Sequence, residues 1–124
     1  MKPAQDRRKD MRAIFSLEDK ITAVLSIPGY QGKMITVYII NLGIGGMQFT
    51  PDSNDDIQIK KGDRLVLLQI KTGLNSQFLL NVDAEVRWIL NPPMLEHMGI
   101  GCAFMNIPES SLKQITKVVD DWSK

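Results

Sequence analysis

The chain is poor in the residues that most small-domain chemistry relies on. It has one cysteine, Cys102, which excludes an intramolecular disulfide framework. Its one histidine, His97, leaves no zinc-type set of Cys and His ligands. No apolar run approaches the roughly 20 residues that span a bilayer. Met1 to Asp10 is rich in charge, through Lys2, Asp6, Arg7, Arg8, Lys9 and Asp10, and lacks the apolar stretch of a signal peptide. Aromatic residues are 6% of the total, a thin supply for stacking single-stranded nucleic acid. Nor does one sign of charge dominate: 15 Lys and Arg face 14 Asp and Glu, a net of +1. That balance argues against a protein held to DNA, RNA or a membrane by bulk charge. The expectation is one soluble, cytoplasmic domain, since 124 residues with 44% apolar types suffice for one core and little more.

What is present is mostly strand pattern. Ile21, Ala23, Leu25 and Ile27 alternate with Lys20, Thr22, Val24 and Ser26, and Pro28-Gly29 ends the run. Met34 to Ile40 is rich in β-branched residues. Asn41 to Gly46 reads as a glycine-rich turn leading into a short strand, Met47 to Thr50. Pro51 to Asp56 is polar and loop-like, Lys61-Gly62-Asp63 a turn, and Arg64 to Lys71 an apolar strand. The period of 2 is clearest where Phe78, Leu80, Val82, Ala84, Val86 and Trp88 oppose Asn81, Asp83, Glu85 and Arg87. Asn91-Pro92-Pro93 stops that strand, and Met98 to Phe104 is the last.

From Pro108 the period becomes helical, with Leu112, Ile115, Val118 or Val119, and Trp122 on one stripe. Six or so antiparallel strands followed by one amphipathic helix favour a small barrel or sandwich over a parallel α/β sheet. The domain divides into a basic N-terminal arm (1–12), a β-barrel (13–107) and a C-terminal helix (108–124).

Catalytic templates fail on these residues. Alternation turns Cys102 the same way as Ile100 and Phe104, toward a core, so it reads as a buried thiol. His97 falls in the polar stretch after Pro93. The carboxylates lie in loops (Asp52, Asp55, Asp56) or on a strand's polar face (Asp83, Glu85), and nothing singles out an acid–base pair. The expectation is a binding protein with neither catalytic residues nor a metal.

Asn41-Leu42-Gly43-Ile44-Gly45-Gly46 misses the Gly-x-Gly-x-x-Gly dinucleotide spacing and precedes a strand, not a helix. Taken alone it is a tight turn whose glycines supply positive φ. Three glycines in four positions nevertheless exceed what one hairpin needs, and they would let a ligand approach bare backbone beside the Asn41 amide. The small net charge also hides an asymmetry. Residues 1–12 carry five basic against two acidic residues, a net of +3, and the remainder carries ten against twelve, a net of −2. Such an arm is either a solvated tail or an arginine clamp that orders on a phosphorylated ligand.

Arg8 and Arg12 form an Arg-x-x-x-Arg element before the first strand, and about thirty residues later comes Asn41-x-Gly43-x-x-Gly46 at the entry to another. This pair resembles the signature of the PilZ domain family, Arg-x-x-x-Arg followed by Asp/Asn-x-Ser-x-x-Gly. Lys61-Gly62-Asp63, Ala84 to Trp88 and Gly99 to Phe104 resemble the family's middle and end, so the likeness covers essentially the whole chain.

The resemblance implies a six-stranded antiparallel split barrel that binds the bacterial second messenger cyclic di-GMP. Arg8 and Arg12 would hold its guanines and phosphates, with Asn41 and Gly46 shaping the opposite wall. In similar proteins the position of Arg7 influences whether one ligand or a stacked pair binds, and arginine there favours the pair. Gly43 departs from the family serine and loses a hydroxyl, which weakens binding. Trp88 would stack on a guanine if it faced outward, although its alternation with Val86 and Ala84 points it toward the core. With no output domain in 124 residues, the expected signal passes to a partner protein. The alternative is a PilZ-like adaptor, in pilus assembly or motility, that has lost nucleotide binding.

Overall fold

The computed structural model describes residues 12–28, 33–51, 59–73, 76–90 and 99–122. Among them, seven strands precede one α-helix: β1 (Arg12–Ile14), β2 (Thr22–Ile27), β3 (Lys33–Gly43), β4 (Gly46–Pro51), β5 (Arg64–Lys71), β6 (Gln77–Leu90), β7 (Gly99–Met105) and α1 (Glu109–Trp122). The strands run β3-β2-β5-β6-β7-β4, all antiparallel, and β4 pairs back onto β3. This is the closed six-stranded barrel that the strand pattern and the resemblance led us to expect. Closure leaves these six strands without the open edges of a flat sheet.

Alternation builds the wall. Ala23, Leu25 and Ile27 of β2 are buried while Thr22, Val24 and Ser26 are half-buried, and Leu80, Val82, Ala84 and Val86 of β6 are buried in turn. With Phe49, Leu65, Leu67, Ile70 and Ile100 they fill one continuous core.

Two features depart from the sequence expectation, and both position the site. The first is β1. Beyond the pair Thr22–Tyr38, β2 no longer accompanies β3, and β1 takes over that edge by pairing Arg12 with Gly43, Ala13 with Leu42 and Ile14 with Asn41. The Phe15 N–H extends the pairing to the Ile40 carbonyl at 2.8 Å. Three residues are too few to display a period, so β1 is silent in the sequence. The second is the run Asn41–Gly46, expected as a turn. Asn41 to Gly43 are strand, and Ile44-Gly45 alone turn the chain into β4.

The helix starts where Pro108 suggested, with the Leu112 N–H donating to the Pro108 carbonyl at 2.9 Å. Ile115, Val118 and Val119 are buried against a surface drawn from β6, β1 and β3. Leu112 and Trp122, at the ends of the stripe, stay partly exposed. Trp122 meets Phe15 edge-to-face with centroids 5.2 Å apart. Among the described residues no helix is long and apolar enough to cross a membrane.

Candidate functional site

The antiparallel register sets Arg12 opposite Gly43, and Gly43 opposite Gly46. Neither glycine has a side chain, so the arginine lies over bare backbone. Its Nε donates to Asn41 Oδ1 and its Nη2 to the Gly46 carbonyl at 3.2 Å. One residue of the basic arm is thereby joined directly to the asparagine and the last glycine of the second motif. Gly43 is itself buried.

The turn glycines serve a different purpose from the expected one. Neither Gly45 nor Gly46 takes a left-handed φ; Gly62 does, at 93°, in the turn before β5. Gly46 is required for closeness instead. A Cβ there would stand 2.2 Å from the Cys102 carbonyl oxygen, so only glycine lets β4 approach β7 at that point.

A second row of residues crosses four strands on the same outer face. Asn41 pairs with Gln48, Gln48 with Gly101, and Gly101 with Trp88. Trp88 reaches this face because β6 carries a bulge: Val86 pairs with Cys102 and Trp88 with Gly101, leaving Arg87 as the extra residue. The alternation that pointed Trp88 into the core is broken one residue before it, and Ile89 packs on the core instead. The indole lies against Gly101, where a Cβ would be 2.1 Å from Cε2, and passes 3.8 Å from the Cβ position of Gly99. The two glycines of Gly99-Ile100-Gly101 are therefore a bed for the tryptophan.

Arg12, Asn41 and Gln48 together with Arg87, Trp88 and Gly101 line an open cleft of about 390 Å³, which Met47 and Cys102 complete. Its volume lies within the range of small-molecule sites. Arg87 was read in the sequence only as part of a strand's polar face. Its Nε pairs with Glu85 Oε1 at 3.2 Å, and the other oxygen of Glu85 faces Arg64 Nε at 3.7 Å. Cys102 is buried as expected, 7% exposed. Burial pushes its thiol up to about 11, against the smaller opposing pull of a Met47 backbone hydrogen bond and the Arg12 guanidinium. Such a thiol is a poor nucleophile. Among the described residues no three His, Cys, Asp or Glu side chains group as a metal site.

Of the residues singled out in the sequence, Arg12, Asn41 and Trp88 line this one cleft, and Gly43 and Gly46 carry the backbone beside it. Arg7, Arg8 and His97 lie outside the described residues.

No curated protein matches the chain in sequence. In structure it is similar to the PilZ domain with c-di-GMP of YcgR from Escherichia coli, with a TM-score of 0.68, 14% identity and coverage of 90% of this chain and 87% of that one. It is also similar to the Bacillus subtilis inhibitor of motility MotI/DgrA (TM-score 0.65, 18% identity, 90% of this chain and 48% of that one). A third likeness is to the MrkH–c-di-GMP complex of K. pneumonia, with a TM-score of 0.62, 14% identity and coverage of 89% and 48%. The chain thus spans about half the length of MotI/DgrA and of MrkH. At such identities these likenesses establish the fold. The PilZ domain family model matches the sequence over residues 6–121, nearly the full length. The chain belongs to the PilZ domain family.

Proposed function

We propose that the cleft binds cyclic di-GMP and that the protein is a receptor for this second messenger, without catalytic activity of its own, in the bacterial cytoplasm. The observation that carries this reading is the bonding of Arg12 to Asn41 and Gly46, which joins the arm motif and the turn motif at one cleft. Arginine's planar fork suits both the O6/N7 edge of guanine and phosphate oxygens. The ligand's two phosphate charges suit an arm of net +3 better than they suit a whole chain of +1. In this reading Arg8 and Arg12 hold guanines and phosphates, Arg7 favours a stacked pair of ligands, and Asn41, Gly43 and Gly46 form the wall. Trp88, seated on Gly101, supplies a stacking surface. In this reading Ile14, exposed and paired with Asn41, offers a downstream protein an apolar side chain beside the cleft.

Titration calorimetry with cyclic di-GMP tests the proposal, and its stoichiometry tests the role of Arg7. Binding in the micromolar range is expected; no heat at hundreds of micromolar would overturn it.

Gly43 favours a second reading, an adaptor that has lost the nucleotide. A neutral hydrogen bond contributes about 0.5–1.5 kcal/mol, roughly tenfold in affinity at the upper end. Loss of one such bond weakens a site without erasing it, and the bond between Arg12 and Asn41 supports the receptor reading over the adaptor. Partners that co-purify regardless of the dinucleotide would favour the adaptor.

A further inference from the structure

We propose that Arg87 is a fourth arginine of the site and reads the hydrogen-bonding edge of a guanine stacked on Trp88. The inference rests on the reading of the cleft as a cyclic di-GMP site and names a specificity contact within it. Ordinary strand alternation places neighbouring side chains on opposite faces. The bulge after Val86 instead presents Arg87 and Trp88 to the same cleft. The indole has one face on the bare backbone of Gly101, so its plane is held by packing. A purine stacked on its open face lies parallel to that plane and turns an edge toward the adjoining residue, Arg87.

Glu85 completes the arrangement. Its carboxylate takes the Nε side of the Arg87 guanidinium at 3.2 Å, and it is itself held by Arg64 from β5. With Nε engaged, the two terminal nitrogens have no hydrogen-bond partner among the described residues, and their fork matches O6 and N7 of guanine. Side-chain exposures of 57% for Arg87 and 27% for Glu85 make this ion pair worth little to the fold. Its effect is orientation, which makes Glu85 a positioning residue.

The test is calorimetric titration of the full chain with cyclic di-GMP and with its 7-deazaguanine analogue, which lacks the N7 acceptor. Thermal melting confirms that each variant is folded. Arg87→Ala should weaken cyclic di-GMP binding roughly 5- to 150-fold, the worth of one bidentate guanine contact. Arg87→Lys should recover little, because lysine has the charge without the fork. Lys113→Ala, an equal charge change on an exposed helix position, should leave binding as in the wild type. The analogue should bind wild type more weakly than cyclic di-GMP does, and Arg87→Ala should lose less affinity for the analogue than for cyclic di-GMP, since the analogue already lacks one of the two acceptors of that contact. A wild type that does not bind at all overturns the underlying reading. A wild type that binds, with Arg87→Ala no weaker than Lys113→Ala, overturns the assignment of Arg87 alone. Full recovery by Arg87→Lys, or losses that multiply independently, also overturn it.

Discussion

Trp88 occupies the space that a side chain at residue 101 would need: a Cβ on Gly101 would lie 2.1 Å from Cε2, 2.3 Å from Nε1 and 2.4 Å from Cζ2 of its indole. The two residues are cross-strand partners, so the glycine is the reason the tryptophan can lie flat over β7. Gly101→Ala should displace the indole while leaving the barrel closed, because the atoms in the way belong to a movable side chain. We expect a stability loss of about 1–3 kcal/mol by denaturant titration, a changed Trp88 emission and weaker cyclic di-GMP binding. Unchanged affinity would separate Trp88 from the ligand.

Two adjacent glycines should respond in opposite directions. Gly46→Ala drives a methyl to 2.2 Å from the Cys102 carbonyl oxygen, a backbone atom that cannot swing aside. It should cost about 1–3 kcal/mol or more. Gly45→Ala meets nothing within 4 Å and has no left-handed φ to satisfy. It should be neutral or stabilising by about 0.4–1 kcal/mol, because alanine restricts the unfolded chain. Melting temperatures of the two variants check both signs.

Arg12 and Asn41 should act as a unit. Their side chains are bonded, so the effects of Arg12→Ala and Asn41→Ala on cyclic di-GMP affinity should be non-additive in a double-mutant cycle. Arg8→Ala and Arg12→Ala should each weaken binding far more than Lys9→Ala. Equal losses from all three would indicate charge attraction alone.

Cys102 gives a pH dependence with a definite sign. Its thiol is raised from an ordinary 9.0 to about 11 by burial. The folded protein therefore keeps a proton that the unfolded chain releases first. Stability from this group is whole below about pH 9 and is lost as pH rises toward 11, by roughly 2–3 kcal/mol in total. Urea titrations across that range should show a downward slope that Cys102→Ala removes. A slope identical in both proteins would assign the loss to other groups.

Much of this was legible because alternation is a strong signal over long strands. The core faces of β2 and β6 as far as Val86, the helix from Pro108 and the buried Cys102 all follow from period and composition. Trp88 was read toward the core because a bulge is one inserted residue, and Val86-Arg87-Trp88 contains no glycine or proline to announce it. Arg87 is inconspicuous in the sequence for a related reason. Its place beside Trp88 in the cleft that Arg12 also lines depends on barrel closure, which brings β6 and β7 round to β4 and β3. The bond from Arg12 to Asn41 likewise needs β1, too short to leave a pattern.

The contact between Phe15 and Trp122 ties the last turn of the helix to the residue just after β1, the strand that carries Arg12. Trp88 lies in the cleft, and these are the only two tryptophans in the chain. The protein thus carries two built-in optical probes with separate addresses. Trp122→Phe would leave an emission that senses ligand contact, and Trp88→Phe one that senses movement of β1 against the helix. Comparing their time courses after mixing with cyclic di-GMP would show whether occupancy of the cleft is felt at the helix, and in what order.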